Sequence, residues 1–471
     1  VKVKAEVTNL GKRAGKEVVQ VYYSAPQGKL GKPALELAVF EKTRLLAQGE
    51  SQMMLLEFPV SSMASFDDMG KISRSAYVLE EGNYSFYVGN SAENLEKWGE
   101  TWKLGEDRII CQLTSKAAPY HLPKRLTGDG SYEMLPEREQ EKEILGLPEQ
   151  DMDLLEGMEP ADRGYGQMLR KEMKTSKKHQ LKEVAEGKLS LEEFMEQLSD
   201  RDLAELLGGQ PNTGVANTYG MGNLREYGVP NVMTADGPAG LRIQPQCHVY
   251  TTAWPCATML ACTWNTELVE KVGAAGASEV KENNIGIWLT PAMNIHRSPL
   301  CGRNFEYYSE DPLVAGKMGA AMVKGIQSQH VAASVKHFAC NNKESNRKDS
   351  DSRVSERALR EIYLKGFEIV VKEADPWTIM SSYNLINGHR ASENKDLLTG
   401  ILREEWGFKG IVTTDWWTRG EHYKEAKAGN DIKMGCGYPD RLLMALEKGL
   451  ISREEIKICA RRILEMILKL D

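Results

Sequence analysis

From Ser190 to the C-terminus, short apolar runs alternate with longer stretches of helical periodicity, and this alternation restricts the fold more than any other feature. The runs are Val229 to Ala235, Ile285 to Met293, Val331 to Phe338, Trp377 to Tyr383, Ile411 to Thr414 and roughly Asn430 to Met434. Alternation over about 280 residues predicts a parallel β/α barrel of the eightfold, TIM-like type, whose typical size is about 250 residues. A Ser-x-x-Glu cap at Ser190 and Glu193 opens the pattern, and a last helix is capped by Ser452 and Glu455. In that helix Ile456, Ala460, Ile463, Leu464 and Ile467 form one apolar stripe, which reads as core and not as a cofactor site.

Residues 1–112 follow another rule. Strand-like runs at Val1 to Thr8, Glu17 to Ser24, Met53 to Val60 and Asn83 to Val88 are separated by turn residues such as Asn9-Leu-Gly11 and Glu81-Gly-Asn83. Such spacing predicts an antiparallel β-sandwich of about 100 residues. Between the two, residues 113–189 gather Glu, Lys, Gln and Met around Pro119, Pro123, Pro136 and Pro148, the composition of a charged linker or bracing segment with some helix. The expected order is therefore an all-β sandwich (1–112), a linker (113–189) and an α/β barrel (190–471). Val1 is not an initiator Met, and the first eight residues already alternate, so the chain reads as a piece of something longer.

The 471 residues carry a formal charge of -7, which leaves no global basic field for nucleic acid. No run reaches 18 apolar residues, so no membrane span is expected. The cysteines (Cys111, Cys247, Cys256, Cys262, Cys301, Cys340, Cys436 and Cys459) are scattered, show no C-x-x-C spacing and read as buried thiols of a cytoplasmic, reducing setting. No zinc-ligand pattern stands out, and no metal or cofactor is expected.

Four polar clusters fall at the C-terminal ends of the apolar runs: Thr234-Ala-Asp236-Gly-Pro, Gly302-Arg-Asn-Phe-Glu306, Lys336-His337, and Thr414-Asp415-Trp416-Trp417. Barrel enzymes assemble their sites at that end. Asp415 can present a carboxylate nucleophile with Trp416 or Trp417 offering a face to a pyranose ring, although a lone Asp there can equally cap the next helix. Lys336 and His337 can turn toward the mouth, where a cation holds a nearby carboxylate ionised and binds hydroxyls. Arg303 offers a rigid fork of donors, or simply a salt bridge to Glu306. Asp236, before Gly237-Pro238, can grip vicinal hydroxyls or shape a plain turn. Tyr383 can place a phenol beside the nucleophile or sit as a satisfied strand tyrosine, and His296 and His389 read equally well as structural.

These phrases resemble glycoside hydrolase family 3. The resemblance rests on Asp236-Gly-Pro-Ala-Gly-Leu-Arg242, Gly302-Arg-Asn-Phe-Glu306 with Glu310-Asp-Pro312, Lys336-His-Phe338, Ser382-Tyr-Asn384, Leu402-Arg-Glu-Glu-Trp-Gly-Phe408 and Thr414-Asp-Trp416, spanning nearly the whole barrel. Val7-Thr-Asn-Leu-Gly-Lys-Arg-Ala-Gly-Lys-Glu-Val18 and Phe40-Glu-Lys42 resemble that family's fibronectin-III-like module. The order, module before barrel, is similar to the permuted members, in which an α/β sandwich domain comes first; that domain is not in this sequence.

The resemblance implies a retaining exo-acting β-glucosidase, with Asp415 as nucleophile and Asp236, Arg303, Lys336, His337, Tyr383 and Trp416 around the terminal sugar of a β-glucoside or oligosaccharide. It further implies an acid/base carboxyl supplied by the sandwich domain, through a companion chain or segment. The loop after Lys336-His337 lacks the Gly-His-Gly and Asp-x-His pattern of the N-acetylglucosaminidase members. A β-xyloside or arabinoside substrate, or a sugar-binding fragment without turnover, are the alternative readings.

Overall fold

The computed structural model describes residues 1–119, 122–135 and 178–470. Most of the segment expected to be a charged linker, including Pro136 and Pro148, lies outside the described residues. Its described part departs from that expectation, because β10 (Lys124–Leu126) and β11 (Tyr132–Met134) pair as an antiparallel hairpin. Arg125, bonded to Asp68 and Glu133, pins this hairpin to the β-sandwich.

The first part contains nine strands: β1 (Lys2–Thr8), β2 (Val18–Ser24), β3 (Glu36–Lys42), β4 (Ser51–Glu57), β5 (Ser65–Asp67), β6 (Ala76–Leu79), β7 (Gly82–Ser91), β8 (Asn94–Leu104) and β9 (Arg108–Gln112). They pair antiparallel as β3-β2-β7-β8, β5-β6-β9 and β1-β4. Val3, Val21, Leu56, Leu79, Tyr84 and Phe86 fill the space between them. The Tyr84 hydroxyl donates to the Glu80 carbonyl at 2.9 Å, which fixes the corner between β6 and β7. Periodicity alone missed β3, β5, β6, β8 and β9. In β8 (Asn-Leu-Glu-Lys-Trp-Gly-Glu-Thr-Trp-Lys-Leu) most residues face water, so cross-strand pairing with β7 and not burial makes the strand.

The remainder curls into a barrel. Its sheet runs β12 (Gly220–Gly222), β13 (Asn231–Ala235), β14 (Ile287–Trp288), β15 (Ala332–Phe338), β17 (Thr378–Ser381) and β20 (Ile411–Thr414). The pairs from β13 to β20 are parallel, and β12 lies antiparallel on β13. Bridges Thr413–Ile432, Gly208–Lys433 and Gln210–Gly220 carry the ring back to β12, so the run at Asn430 to Met434 contributes bridges and not a regular strand. A small three-stranded sheet of β16 (Asp351–Ser352), β18 (Leu385–Ile386) and β19 (His389–Arg390) sits in the loops above. This is a TIM-like barrel in which a uniform parallel ring gives way to one antiparallel strand. Several strands are shorter than their apolar runs. Pro230 has no N–H to donate before β13, and past β14 the chain meets Pro291.

Helices Thr266–Glu282, Pro312–Gln327, Lys365–Ala374 and Arg453–Ile467 cover the ring. Ser190 and Ser452 accept from the backbone N–H of Glu193 and Glu455, each in a complete capping box, and the apolar stripe of the last helix is buried. Helices Thr266–Glu282 and Pro312–Gln327 touch through glycine: a Cβ on Gly325 would lie 2.0 Å from the Glu270 carbonyl oxygen. No helix among the described residues is long and apolar enough to cross a membrane.

The sandwich rests on the barrel through polar contacts. The Arg357 guanidinium donates to the Leu30 and Gly31 carbonyls at 2.5 and 2.6 Å, and Glu361 accepts from the Phe66 N–H. Phe40 meets Trp264 edge to face. All eight cysteines are free, but the expectation of buried thiols holds only for Cys340 and Cys459; Cys111 and Cys262 are exposed and the other four half-buried. Their apolar neighbours misled, because Cys111 lies on β9, whose residues all face water.

Gly325→Ala should cost about 1–3 kcal/mol, the range for an overpacked contact, through parting of the two helices. Urea unfolding of the barrel checks this, and an unchanged midpoint would show that the helices separate freely.

Candidate active site

Most site residues lie at or near the end of a barrel strand, and Arg303 comes from the long loop after β14, beside a short turn at Asn304–Glu306. Asp415 follows β20, and its N–H donates to the Ser381 carbonyl at the end of β17 at 3.2 Å. Only 8 % of the residue is exposed. Its two oxygens differ: Oδ1 accepts the Trp416 N–H at 2.7 Å, whereas Oδ2 lies 3.8 Å from His337 Nε2. Burial pushes the Asp415 carboxyl above the usual range, against the pull of the Trp416 N–H, Arg303, Lys336 and the Tyr383 hydroxyl.

Lys336 and His337 leave the end of β15 across a register shift between Val335 and Phe338, which turns both side chains into the mouth. Buried Lys336 Nζ donates to Asp236 Oδ1 at 2.7 Å, and Arg242 takes Oδ2 at 2.9 Å. Burial opposes ionisation of Asp236, but Lys336 and then Arg242 outweigh it and hold the carboxyl at about 2. The Asp236 N–H is fixed by Asn217 Oδ1 at 3.0 Å.

His337 is fully enclosed. Burial, then Arg303, Lys336 and Arg347, push its pKa well below the usual value, so the ring is neutral. Arg303 Nη2 lies 3.0 Å from Nε2, and a guanidinium only donates. Nε2 therefore accepts, which places the ring proton on Nδ1, a buried atom with no protein partner. Arg303 also bonds Glu306 through Nε and approaches Glu344 at 3.9 Å, so the salt-bridge and site readings of this arginine hold together.

The buried Tyr383 hydroxyl donates to the Trp416 carbonyl at 2.5 Å and also reaches Asp415. The Arg347 guanidinium lies 4.8 Å from the centre of its ring. Trp417, and not Trp416, is the exposed indole, and it meets Tyr219 edge to face. His296 accepts no such role: its Nε2 bonds the Asn304 and Tyr307 carbonyls and braces the Arg303 loop.

Side-chain contacts thus link Asp236 to Lys336 and Arg303 through His337 to Asp415 and Tyr383, while Trp416 meets Asp415 and Tyr383 through its backbone. Sequence reasoning passed over Arg242, Asn294, Arg347 and Lys348 as site members. Arg242 could have been found in the Asp236 phrase, whereas Arg347 and Lys348 lie in a polar loop with no spacing to mark them. No group of His, Cys, Asp or Glu among the described residues is placed to hold a metal ion. A buried carboxylate with one free oxygen, a neutral imidazole and a cation-clamped second carboxylate suit nucleophilic attack on a bound polyol.

Residues 175–466 match the glycosyl hydrolase family 3 N terminal domain, and residues 17–92 match a fibronectin type III-like domain. The chain belongs to glycosyl hydrolase family 3. Among family 3 relatives, it is 55% identical over 461 residues to Beta-glucosidase A of Butyrivibrio fibrisolvens, covering 96% of this chain and 55% of that protein. It is 37% identical to a Beta-glucosidase of Ruminococcus albus, covering 99% of this chain and 50% of the other. The crystal structure of a beta-glucosidase from Paenibacillus barengoltzii superposes with a TM-score of 0.86 at 40% identity, over 99% of this chain and 53% of that one. The chain therefore spans about half the length of these family 3 relatives.

Lys336→Met should lower stability at neutral pH and make what remains less dependent on acid. Asp236, held at about 2 in the folded state and near 3.9 unfolded, contributes stability that is full above about pH 4 and lost as pH falls through about 2. The stability gap between wild type and variant should therefore be largest at neutral pH and shrink between about pH 4 and pH 2. A gap independent of pH in a urea series would deny the Lys336–Asp236 pairing this role.

Proposed function

We propose that this chain carries the nucleophile and sugar pocket of a retaining, exo-acting β-glucosidase. The observation that carries the reading is the inequality of the two Asp415 oxygens. Oδ1 is held by the Trp416 N–H, and Oδ2 is turned toward His337 and the open mouth, as an attacking oxygen must be. The relatives named as β-glucosidases supply the substrate class.

In this reading Asp236 accepts hydrogen bonds from vicinal hydroxyls of the terminal glucosyl ring, while Lys336 donates to it. Trp417 offers an exposed face at the mouth. Asp415 Oδ2 attacks C1 as the aglycone leaves, giving a glycosyl ester that water then cleaves with net retention. Arg303, beside His337, offsets negative charge on Asp415 before attack.

A second carboxyl must protonate the aglycone and then activate water, about 5.5 Å from the nucleophile. Asp236 is held as the carboxylate by Lys336 and Arg242, and Glu306 and Glu344 are each paired with an arginine. We therefore assign the acid/base to a further segment or companion chain.

A 2-deoxy-2-fluoro glucoside with a good leaving group tests the nucleophile, since an activated leaving group needs little acid assistance. Intact mass and peptide mapping should place one glycosyl adduct on Asp415, and Asp415→Asn should lower its formation by about 10³-fold or more. An adduct elsewhere, or labelling only by the xyloside or arabinoside analogue, would overturn the assignment. Because the Asp415 carboxyl is raised and must be ionised to attack, labelling should fall with decreasing pH at a midpoint above the ordinary carboxylate range. Loss only below about pH 4 would contradict that.

A further inference from the structure

The regular β-ladder holds the backbone of Lys336 but stops at the next residue, so His337 has to be held by something else. Along β15 the Ser334 N–H donates to the Thr290 carbonyl, the Lys336 N–H to Pro291 at 2.9 Å, and the Met293 N–H to the Lys336 carbonyl at 2.6 Å. At His337 the partner is no longer backbone. The Asn294 side chain takes both ends of that residue: the His337 N–H donates to Asn294 Oδ1 at 2.9 Å, and Asn294 Nδ2 donates to the His337 carbonyl at 2.9 Å. Asn294 is 2 % exposed.

We infer that Asn294 is a positioning residue which replaces one residue of strand pairing with its carboxamide and thereby orients Lys336 and His337 toward Asp236, Arg303 and Asp415. The carboxamide is suited to this because it offers one acceptor and one donor side by side, the pattern that a residue of a neighbouring strand presents. With both backbone groups of His337 held, the chain at the register shift is fixed in direction. The Nζ of Lys336 and the Nε2 of His337 then arrive at 2.7 Å from Asp236 and 3.0 Å from Arg303. Asn294 itself contacts the backbone and not the mouth, so its effect runs through the two residues it holds. The other strand ends at the site are held differently: at Asp415 the backbone N–H finds the Ser381 carbonyl directly, and at Asp236 the Asn217 amide takes the N–H alone, whereas Asn294 takes both backbone groups of His337.

The inference deepens the glucosidase reading and rests on it only for the ligand used. The test compares wild type, Asn294→Ala, Asn294→Asp, Lys336→Met and the double variant Asn294→Ala/Lys336→Met, with 1-deoxynojirimycin, a glucose-shaped cation, titrated by calorimetry. Asn294→Ala should weaken binding by roughly 10- to 100-fold, in keeping with the cost of small misplacements of binding groups. Asn294→Asp keeps the acceptor for the His337 N–H but sets an anion against its carbonyl, so it should also weaken binding, with near-identical volume guarding against collapse. Since Asn294 acts through Lys336, the two single losses should combine to at least about fivefold less than their product. Losses that multiply fully would show that Asn294 acts elsewhere and would overturn the proposal.

A second readout does not depend on sugar. In protein labelled with ¹⁵N-histidine, the His337 imidazole signals should move in Asn294→Ala while those of distant His179 and His248 stay. Thr378→Val, which removes a buried hydrogen bond from Thr378 to Ala333 on the same strands, serves as the control for ordinary destabilisation and should leave the His337 signals in place. Unmoved His337 signals in a folded Asn294→Ala overturn the proposal whatever the ligand does. If wild type fails to bind the iminosugar but the signals move as expected, the glucosidase reading fails and the positioning role stands.

Discussion

Burial of Lys336 at the end of β15 is the constraint on which the rest of the mouth depends. An ammonium taken out of water needs an anion and hydrogen-bond acceptors at close range. Asp236 supplies them from the loop after β13, so two strands separated by a hundred residues are tied at one point. Once Lys336 is fixed, its neighbour His337 is fixed too, and the imidazole is forced neutral by burial and by the cations around it. Arg303 then has a defined partner on one side and Glu306 on the other. Carboxylates and cations alternate around the mouth, so that most charges there face an opposite one. That alternation lets several ionised groups share an enclosed space at all.

A similar arrangement braces the barrel further round, where Lys433 and Glu425 are buried against each other. Nζ of Lys433 reaches Glu425 Oε2 at 2.8 Å and the Gly420 carbonyl at 2.8 Å, while Ser392 and Thr418 satisfy Oε1 of Glu425. This pair holds the loop after β20 against the residues that close the ring. Because that loop begins with Asp415, the position of Asp415 depends on a network several residues away from it. Replacing such a pair with apolar residues can preserve stability, but removing one partner leaves an uncompensated charge. The interior of the barrel is therefore committed to polar packing on the side facing the site.

Much of this was legible in the sequence because period and chemistry agree there. β13, β15, β17 and β20 are apolar runs with a charged or hydroxyl-bearing residue at or within two residues of their C-terminal end, and a parallel barrel sends such ends to one rim. Asp236, Arg303, Lys336, His337, Tyr383 and Asp415 could be singled out from the residues, and the family phrases favoured Trp416 over Trp417. What stayed hidden depends on contacts and not on pattern. Asn294 follows Met293 in a segment with no polar cluster, and its role exists only because β15 shifts register opposite it. Trp416 and Trp417 carry the same side chain, so the sequence could not tell which indole is turned to water; in the structure it is Trp417. The exposed β8 and β9 have too little burial to leave a period, and the antiparallel β12 is three residues long, two of them glycine. Cys111 and Cys262 show the same limit, since an apolar neighbourhood in sequence is not one in space.

The electrostatics of Asp415 bear on the half of the reaction assigned to another segment. The carboxyl is already raised by burial, yet it must be ionised to attack. A second carboxyl brought to within about 5.5 Å meets that negative charge, and a like charge at such range raises its own pKa. It is thereby kept protonated in the resting state, which is the form needed to donate to the departing aglycone. When Asp415 becomes a glycosyl ester its charge disappears, the repulsion ends, and the second carboxyl ionises more readily, which is the form needed to activate water. One group can thus serve as acid and then as base without moving, because the nucleophile's own charge sets its state. On the proposed reading, the barrel would do more than hold the sugar: the charge it buries at Asp415 would tune the acid/base assigned to a further segment.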